Sequence, residues 1–244
     1  MRNIQLIIEY DGSNYCGWQR QNNGVSIQQK IEEALEIISG EKLSITGAGR
    51  TDAGVHAFAQ SANFYTESKI PIEKFPFALN SALPADIAVI RAYERDESFN
   101  SRYSAKEKTY IYKIYNRRIP SPFYCKYAYH CPIDINLEKM VQASKQIIGK
   151  HDFASFMATG GQVKSTVREV YDIDINKQDD IITISLRGNG FLYNMVRIIS
   201  GTLLYAGIGK IDPAYIENII KSKDRTQAGI TLPACGLYLK DIVY

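Results

Sequence analysis

A guanidinium and a carboxylate stand two residues apart in a run of small residues, Gly47-Ala48-Gly49-Arg50-Thr51-Asp52-Ala53-Gly54-Val55-His56-Ala57. Glycines at 47, 49 and 54 permit positive φ angles and close backbone approach, so Asp52 is expected on a tight, exposed turn. Asp and Gly also make plain surface turns. This turn, however, falls between the apolar runs Lys42–Ile45 and Ala57–Tyr65, as a strand-to-strand connection on a scaffold, where loops usually carry chemistry. A second candidate is Arg197, set among Met195, Val196, Ile198 and Ile199 in a nearly all-apolar run. An arginine buried on such a helix needs a carboxylate partner. In return, a nearby guanidinium lowers a carboxyl pKa by about 1–3 units and keeps it ionised in a partly dry cleft. Tyr110 and Tyr112, two apart in a predicted strand, share one face.

The middle of the chain is locally cationic. Arg91, Arg95, Arg102, Lys106, Lys108, Lys113, Arg117 and Arg118 interleave with Phe99, Tyr103, Tyr110, Tyr112 and Tyr115. Cations take phosphates and aromatic faces take unstacked bases, so this pattern points to nucleic acid more than the formal charge of +3 does. Cys16, Cys125, Cys131 and Cys235 form no CxxC pair and no ligand spacing with His56, His130 or His151. They are read as reduced thiols, and no metal is expected. With no P-loop and no GxGxxG after a strand, no cofactor is expected either.

These groups need a scaffold, and the patterning supplies an α+β one. Strands are predicted at Ile4–Tyr10, Leu43–Thr46, Ala57–Tyr65 and Ile87–Tyr93, with helices over Ile27–Ile38 and Ile72–Leu83. The first helix carries Ile27, Ile31, Ala34, Leu35 and Ile38 on one stripe, with Ser26 as N-cap and Gln29 as its capping-box partner. In the second half strands are predicted at Lys106–Tyr115, Arg168–Ile175, Ile181–Arg187 and Leu237–Val243. Helices follow at Leu137–Ile148 and Phe191–Ala206, and a proline-containing loop at Ile119–Cys131. A chain of 244 residues, 45% hydrophobic and 23% charged, builds one large or two modest globular domains. The apolar run Ile4–Ile8 is too short for a signal-peptide core. Ile198–Gly209 falls short of the roughly 20 apolar residues a membrane span needs. A cytoplasmic location without membrane association is expected.

The loop GRTDAGVHA resembles the signature of the TruA family of tRNA pseudouridine synthases. The resemblance continues through Phe99–Ala105, Lys108–Tyr112, Gly190–Arg197 and Pro233–Leu239, in the same order over nearly the whole chain. It implies the pseudouridine synthase fold: two α+β domains, 1–105 and 106–244, whose antiparallel or mixed sheets join around a basic cleft. It also implies a homodimer in which one tRNA touches both subunits. The implied reaction cleaves the N-glycosidic bond of a uridine in the anticodon stem-loop of tRNA, turns the base and rebuilds the bond through carbon five. Asp52 matches the family's catalytic aspartate, which attacks the sugar, adds to the base or removes a sugar proton. Arg197 matches its cationic partner, and Tyr110 the tyrosine that stacks under the uracil and assists its final deprotonation. Leu192 and Leu237 are expected to line the uracil pocket. Arg50 either contacts a phosphate and helps expel the base, or shapes the loop by a salt bridge. His56 is expected to order the loop by hydrogen bonding, and Tyr112 to pack. Leu232-Pro233 stands where Ala-Pro is expected, away from the catalytic set. Rival readings are a non-catalytic tRNA-binding protein of the same fold and an RNA N-glycosidase.

Overall fold

In the computed structural model, residues 1–22, 24–161 and 163–244 are described, and the chain divides into two compact units. Met1–Lys106 contains β1 (Arg2–Tyr10), α1 (Ile27–Ser39), β2 (Thr46–Gly47), β3 (His56–Thr66), α2 (Phe75–Asn80) and β4 (Ile87–Arg95). Glu107–Leu237 contains β5 (Glu107–Asn116), β6 (Tyr129–Cys131), α3 (Leu137–Ser144), β7 (Gly149–Asp152), β8 (Val167–Gln178), β9 (Ile181–Gly188), α4 (Met195–Gly207) and α5 (Ile216–Ser222). The chain closes with β10 (Leu237–Val243), whose residues from Tyr238 onward belong with the first unit. The architecture is α+β, as the mixture of strand and helix patterning predicts.

In the first unit, β1 buries Ile4, Leu6, Ile8 and Tyr10 on its apolar face, while Asn3 and Gln5 are buried on the other. The sheet runs in the order β4-β1-β3-β10, with β2 also on β3. β1 lies antiparallel to both neighbours, with Ile4 opposite Phe64 and Leu6 opposite Ala62, and β10 runs parallel to β3. The stripe of α1 is buried through Ile27, Ile31, Ala34 and Leu35. Ser26 caps α1 by accepting from the Gln29 amide at 3.2 Å. The predicted reciprocal half of the capping box is replaced, because the Gln29 carboxamide donates along the helix to Glu33 at 2.8 Å. The predicted strand at Leu43–Thr46 shrinks to Thr46–Gly47. Its Ile45 amide donates instead to the buried Glu32 carboxylate at 3.2 Å, so a helix side chain takes a donor that a ladder would have used.

In the second unit the order is β5-β9-β8-β7, with β6 parallel to β5. β5 pairs antiparallel with β9, placing Tyr110 opposite Leu186 and Tyr112 opposite Ile184. α4 is buried almost throughout, from Met195 to Gly207, as its all-round apolar sequence requires, and α3 packs against it. Two short strands escape the pattern reading. β6 lies inside the predicted loop Ile119–Cys131, and β7 takes over where α3 stops at Ser144 instead of Ile148. Strands of three and four residues carry too few alternations to register as a period. Among the described residues no helix is long and apolar enough to cross a membrane.

Candidate active site

The Asp52 turn is held from beneath by a segment about forty residues earlier in the chain, just after β1. The Tyr10 hydroxyl and Thr51 Oγ1 are 2.8 Å apart in the interior, and the Thr51 carbonyl accepts from the Trp18 amide at 3.0 Å. The Asp52 carbonyl accepts from Val55 N at 3.2 Å, and Gly54 supplies the left-handed φ of +78° that closes the turn. Of the three glycines expected to adopt positive φ, Gly54 alone does so. Gly47 serves close packing instead, since a Cβ there would lie 2.4 Å from Trp18 Nε1. The supporting segment presses just as closely: a Cβ on Gly12 would lie 2.0 Å from the Val55 carbonyl oxygen, and one on Gly17 2.5 Å from that of Thr51. Thr51 is buried, Asp52 half-buried and Arg50 exposed.

His56 secures the far end of the turn. Its ring is 2% exposed and stacks on Tyr238 at 4.7 Å. Its Nδ1 lies 3.2 Å from the Gly12 amide and 3.1 Å from Asp11 Oδ1. The neutral acceptor form of that nitrogen serves Gly12, and the protonated form serves Asp11. Both partners tie β3 to the end of β1, which matches the loop-ordering role expected of His56. Arg50 donates from Nε to Gln19 Oε1 at 3.1 Å, a neutral partner where one alternative had a salt bridge.

The second unit carries the other candidates. Tyr110 is 8% exposed and meets Phe191 edge-on, with centroids 5.3 Å apart. Tyr112 is fully buried and donates to the Pro233 carbonyl at 2.7 Å, the packing role expected of it. Burial pushes its hydroxyl pKa well above the ordinary range, Cys235 adding to the shift and Arg197 opposing it. Burial likewise raises the Cys235 thiol, again opposed by Arg197. The positive charge of Arg197 is therefore felt at both Tyr112 and the Pro233–Leu237 segment. Leu192 and Leu237 are both buried.

Arg197 itself is half-buried, not enclosed as its apolar neighbours predict. It donates from Nε to the Leu232 carbonyl and from an Nη to Asn194 Oδ1, both at 2.6 Å. Helix α4 begins at Met195, later than the predicted Phe191, because Asn194 takes a left-handed conformation with φ of +60°. Asn is among the few side chains that tolerate this region, and here it also holds the arginine. Asn194 escaped the sequence reading, as did Tyr10, Thr51 and Trp18. An asparagine just ahead of an apolar helical stretch, a residue type favoured at helix starts, was the one available signal for it.

The family described as tRNA pseudouridine synthase matches residues 6–104 and 143–244. Proteins named tRNA pseudouridine synthase A are 51% identical in Thermoanaerobacter sp. (strain X514) and 52% identical in Caldicellulosiruptor saccharolyticus, each over 244 residues covering all of both chains. One from Ruminiclostridium cellulolyticum is 50% identical over 245 residues, again covering all of both chains. Among solved structures, a crystal structure of a Cbf5-Nop10-Gar1 complex aligns with 97% of this chain and 48% of that chain, at 11% identity and a TM-score of 0.39. Full-length identity of about half the residues, with a family match on both sides of the chain, is decisive: the chain belongs to the tRNA pseudouridine synthase family.

Proposed function

We propose that this chain converts uridine to pseudouridine in tRNA, on the 3′ side of the anticodon stem-loop, in the cytoplasm and as a homodimer. The observation that carries the proposal is the 51% identity, over the full length of both chains, to a protein named tRNA pseudouridine synthase A. Asp52 starts cleavage of the N-glycosidic bond. A half-buried carboxylate at the first residue of a turn, next to a Thr51 bonded to Tyr10 of β1, has the fixed position this step needs. Arg197 is the cation that keeps Asp52 ionised against desolvation, and its two bonds to Leu232 and Asn194 support that role by fixing its fork. Tyr110 carries the extruded uracil, with stacking worth about 1–3 kcal/mol against the few kcal/mol spent on flipping the base. Leu192 and Leu237 close around the ring, and Arg50, exposed beside Asp52, takes a backbone phosphate. In this reading residues 1–105 supply the Asp52 turn and residues 106–244 supply Tyr110, Leu192, Arg197 and Leu237. The reaction is a redox-neutral rearrangement and so calls for no redox cofactor.

Incubation with unmodified tRNA tritiated at carbon five of uridine tests the proposal. Tritium release by the wild type and not by Asp52→Ala, without free uracil, is the expected result. Free uracil would mean hydrolysis, and binding without release would mean a tRNA-binding protein that performs no chemistry.

A further inference from the structure

The stretch from Arg117 to Cys131 is the part of the sequence the site leaves unused. The family match stops at residue 104 and resumes at 143, so the stretch lies wholly outside it. It contains Arg117, Arg118 and Lys126 and no Asp or Glu. Between β5 and β6 it exposes large side chains: Ile119 is 67% exposed, Phe123 83%, Tyr124 43% and Tyr127 40%. Isolated apolar residues at a surface need no explanation, but a cluster of this kind marks an interaction site.

The cluster is built and held. Tyr124 stacks on the buried Tyr115 at 4.9 Å with an interplanar angle of 30°, so one ring face is covered and the ring is oriented. Arg117 donates to the Tyr115 hydroxyl at 3.2 Å, and its carbonyl meets His130 Nε2 at 2.7 Å. The turn 121–128 closes on itself through Tyr124 N to Ser121 O and Ala128 N to Tyr124 O. Among the described residues neither Arg117 nor Arg118 has a carboxylate within ion-pair distance; Asp180 acts on Arg117 from further away.

Two occupants suit exposed aromatic rings, and charge decides between them. A second copy of this chain on the same patch would form an isologous contact, bringing one surface carrying Arg117 and Arg118 against another of the same sign. A polyanion whose bases present π-faces meets both features at once. We propose that the Arg117–Tyr127 surface is a second RNA-contacting site, in which Phe123 stacks on an unpaired base and Arg118 neutralises a phosphate. This rests on the reading of the chain as a tRNA-modifying enzyme, and it adds a contact made by none of the residues assigned to the chemistry.

Phe123→Ala and Arg118→Gln replace exposed side chains, so both proteins should keep the wild-type unfolding midpoint. Equilibrium binding of an unmodified tRNA transcript is measured against salt concentration, with tritium release measured in parallel. Phe123→Ala should weaken binding about tenfold. Arg118→Gln should reduce the slope of log K against log salt by about 1. Binding within twofold of wild type in both folded variants overturns the proposal. So does a change in sedimentation without a change in tRNA affinity, which would make the patch a contact between copies. A wild type that binds tRNA without releasing tritium removes the proposed reaction, while weaker binding by the two variants still supports the surface. A wild type that converts tRNA, beside variants that bind equally well, removes the surface alone.

Discussion

The Asp52 turn and the Arg197 turn solve one problem, fixing a charged side chain, with different shares of local and distant support. Asp52 depends on distant chain: Tyr10, Asp11, Gly12 and Trp18 hold Thr51, Val55 and His56 through hydrogen bonds and close backbone contact. Arg197 is held in part from nearby, by Asn194 three residues before it, and in part by the carbonyl of Leu232, thirty-five residues on. A helix has its own internal ladder and needs only its first turn trimmed. A loop has no ladder, so a separate template must supply its rigidity. The loop should therefore be sensitive to changes in residues that never approach the substrate, and the helix start should not.

The largest effect belongs to the carboxylate itself. Asp52→Asn should lower tritium release at least about 1,000-fold while tRNA binding persists; activity within tenfold of wild type would remove Asp52 from the chemistry. Gly12→Ala comes next, because its Cβ would overlap the Val55 carbonyl. A loss of about 2–4 kcal/mol in denaturant unfolding is expected, and an unchanged midpoint would show that the template is slack. Arg197→Lys keeps the charge and loses the fork. A fall of about 10- to 100-fold in conversion is expected, the worth of one or two charge-assisted hydrogen bonds. Smaller again is Thr51→Val, which keeps shape and deletes the bond to Tyr10. It should cost about 1–2 kcal/mol and slow conversion, with Thr51→Ser restoring both; equal behaviour of the valine and serine variants would break the contrast between the two regions.

Tyr112→Phe should have the smallest effect, about 1 kcal/mol for the lost bond to Pro233, and it carries a pH signature. Burial raises the folded-state pKa of Tyr112, so above about pH 10 the unfolded chain loses this proton while the folded chain retains it. The Tyr112 contribution is thus fully present below that pH and is lost as pH rises further. Wild-type stability should decline more steeply than that of Tyr112→Phe in alkaline titrations, and parallel curves would contradict the assignment.

Long periodic segments were legible in the sequence, and so was the turn that presents Asp52. β1, β3, β5, β9 and α1 follow their predicted limits closely because each is long enough to carry several repeats of its pattern. What escaped depends on single side-chain partnerships that leave no repeating pattern. Glu32 turns a predicted strand into a tethered loop by taking the Ile45 amide. Asn194 delays α4 by one turn because its side chain has Arg197 to hold. The Tyr10–Thr51 bond joins residues forty-one apart, and no local pattern encodes such a pairing. The residues proposed for the chemistry were more visible than those that position them, because a carboxylate among glycines is compositionally odd and a tyrosine ending a strand is not.

The route of the chain sets an order of assembly. Tyr238 stacks on His56 and pairs with it in register, Lys106 donates to the Val243 carbonyl, and Tyr244 bonds to the Ser101 carbonyl. Every one of these contacts waits until Glu107–Leu237 has been synthesised. The usual N-terminal-first sequence of domain folding is therefore reversed in part: the second unit leaves the ribosome whole while the first still has β3 without its parallel partner. An open strand edge invites pairing with other chains, so nascent chains stalled before residue 238 are the form of this protein most prone to aggregate. The turn bearing Asp52 gains its last support only when translation is nearly finished.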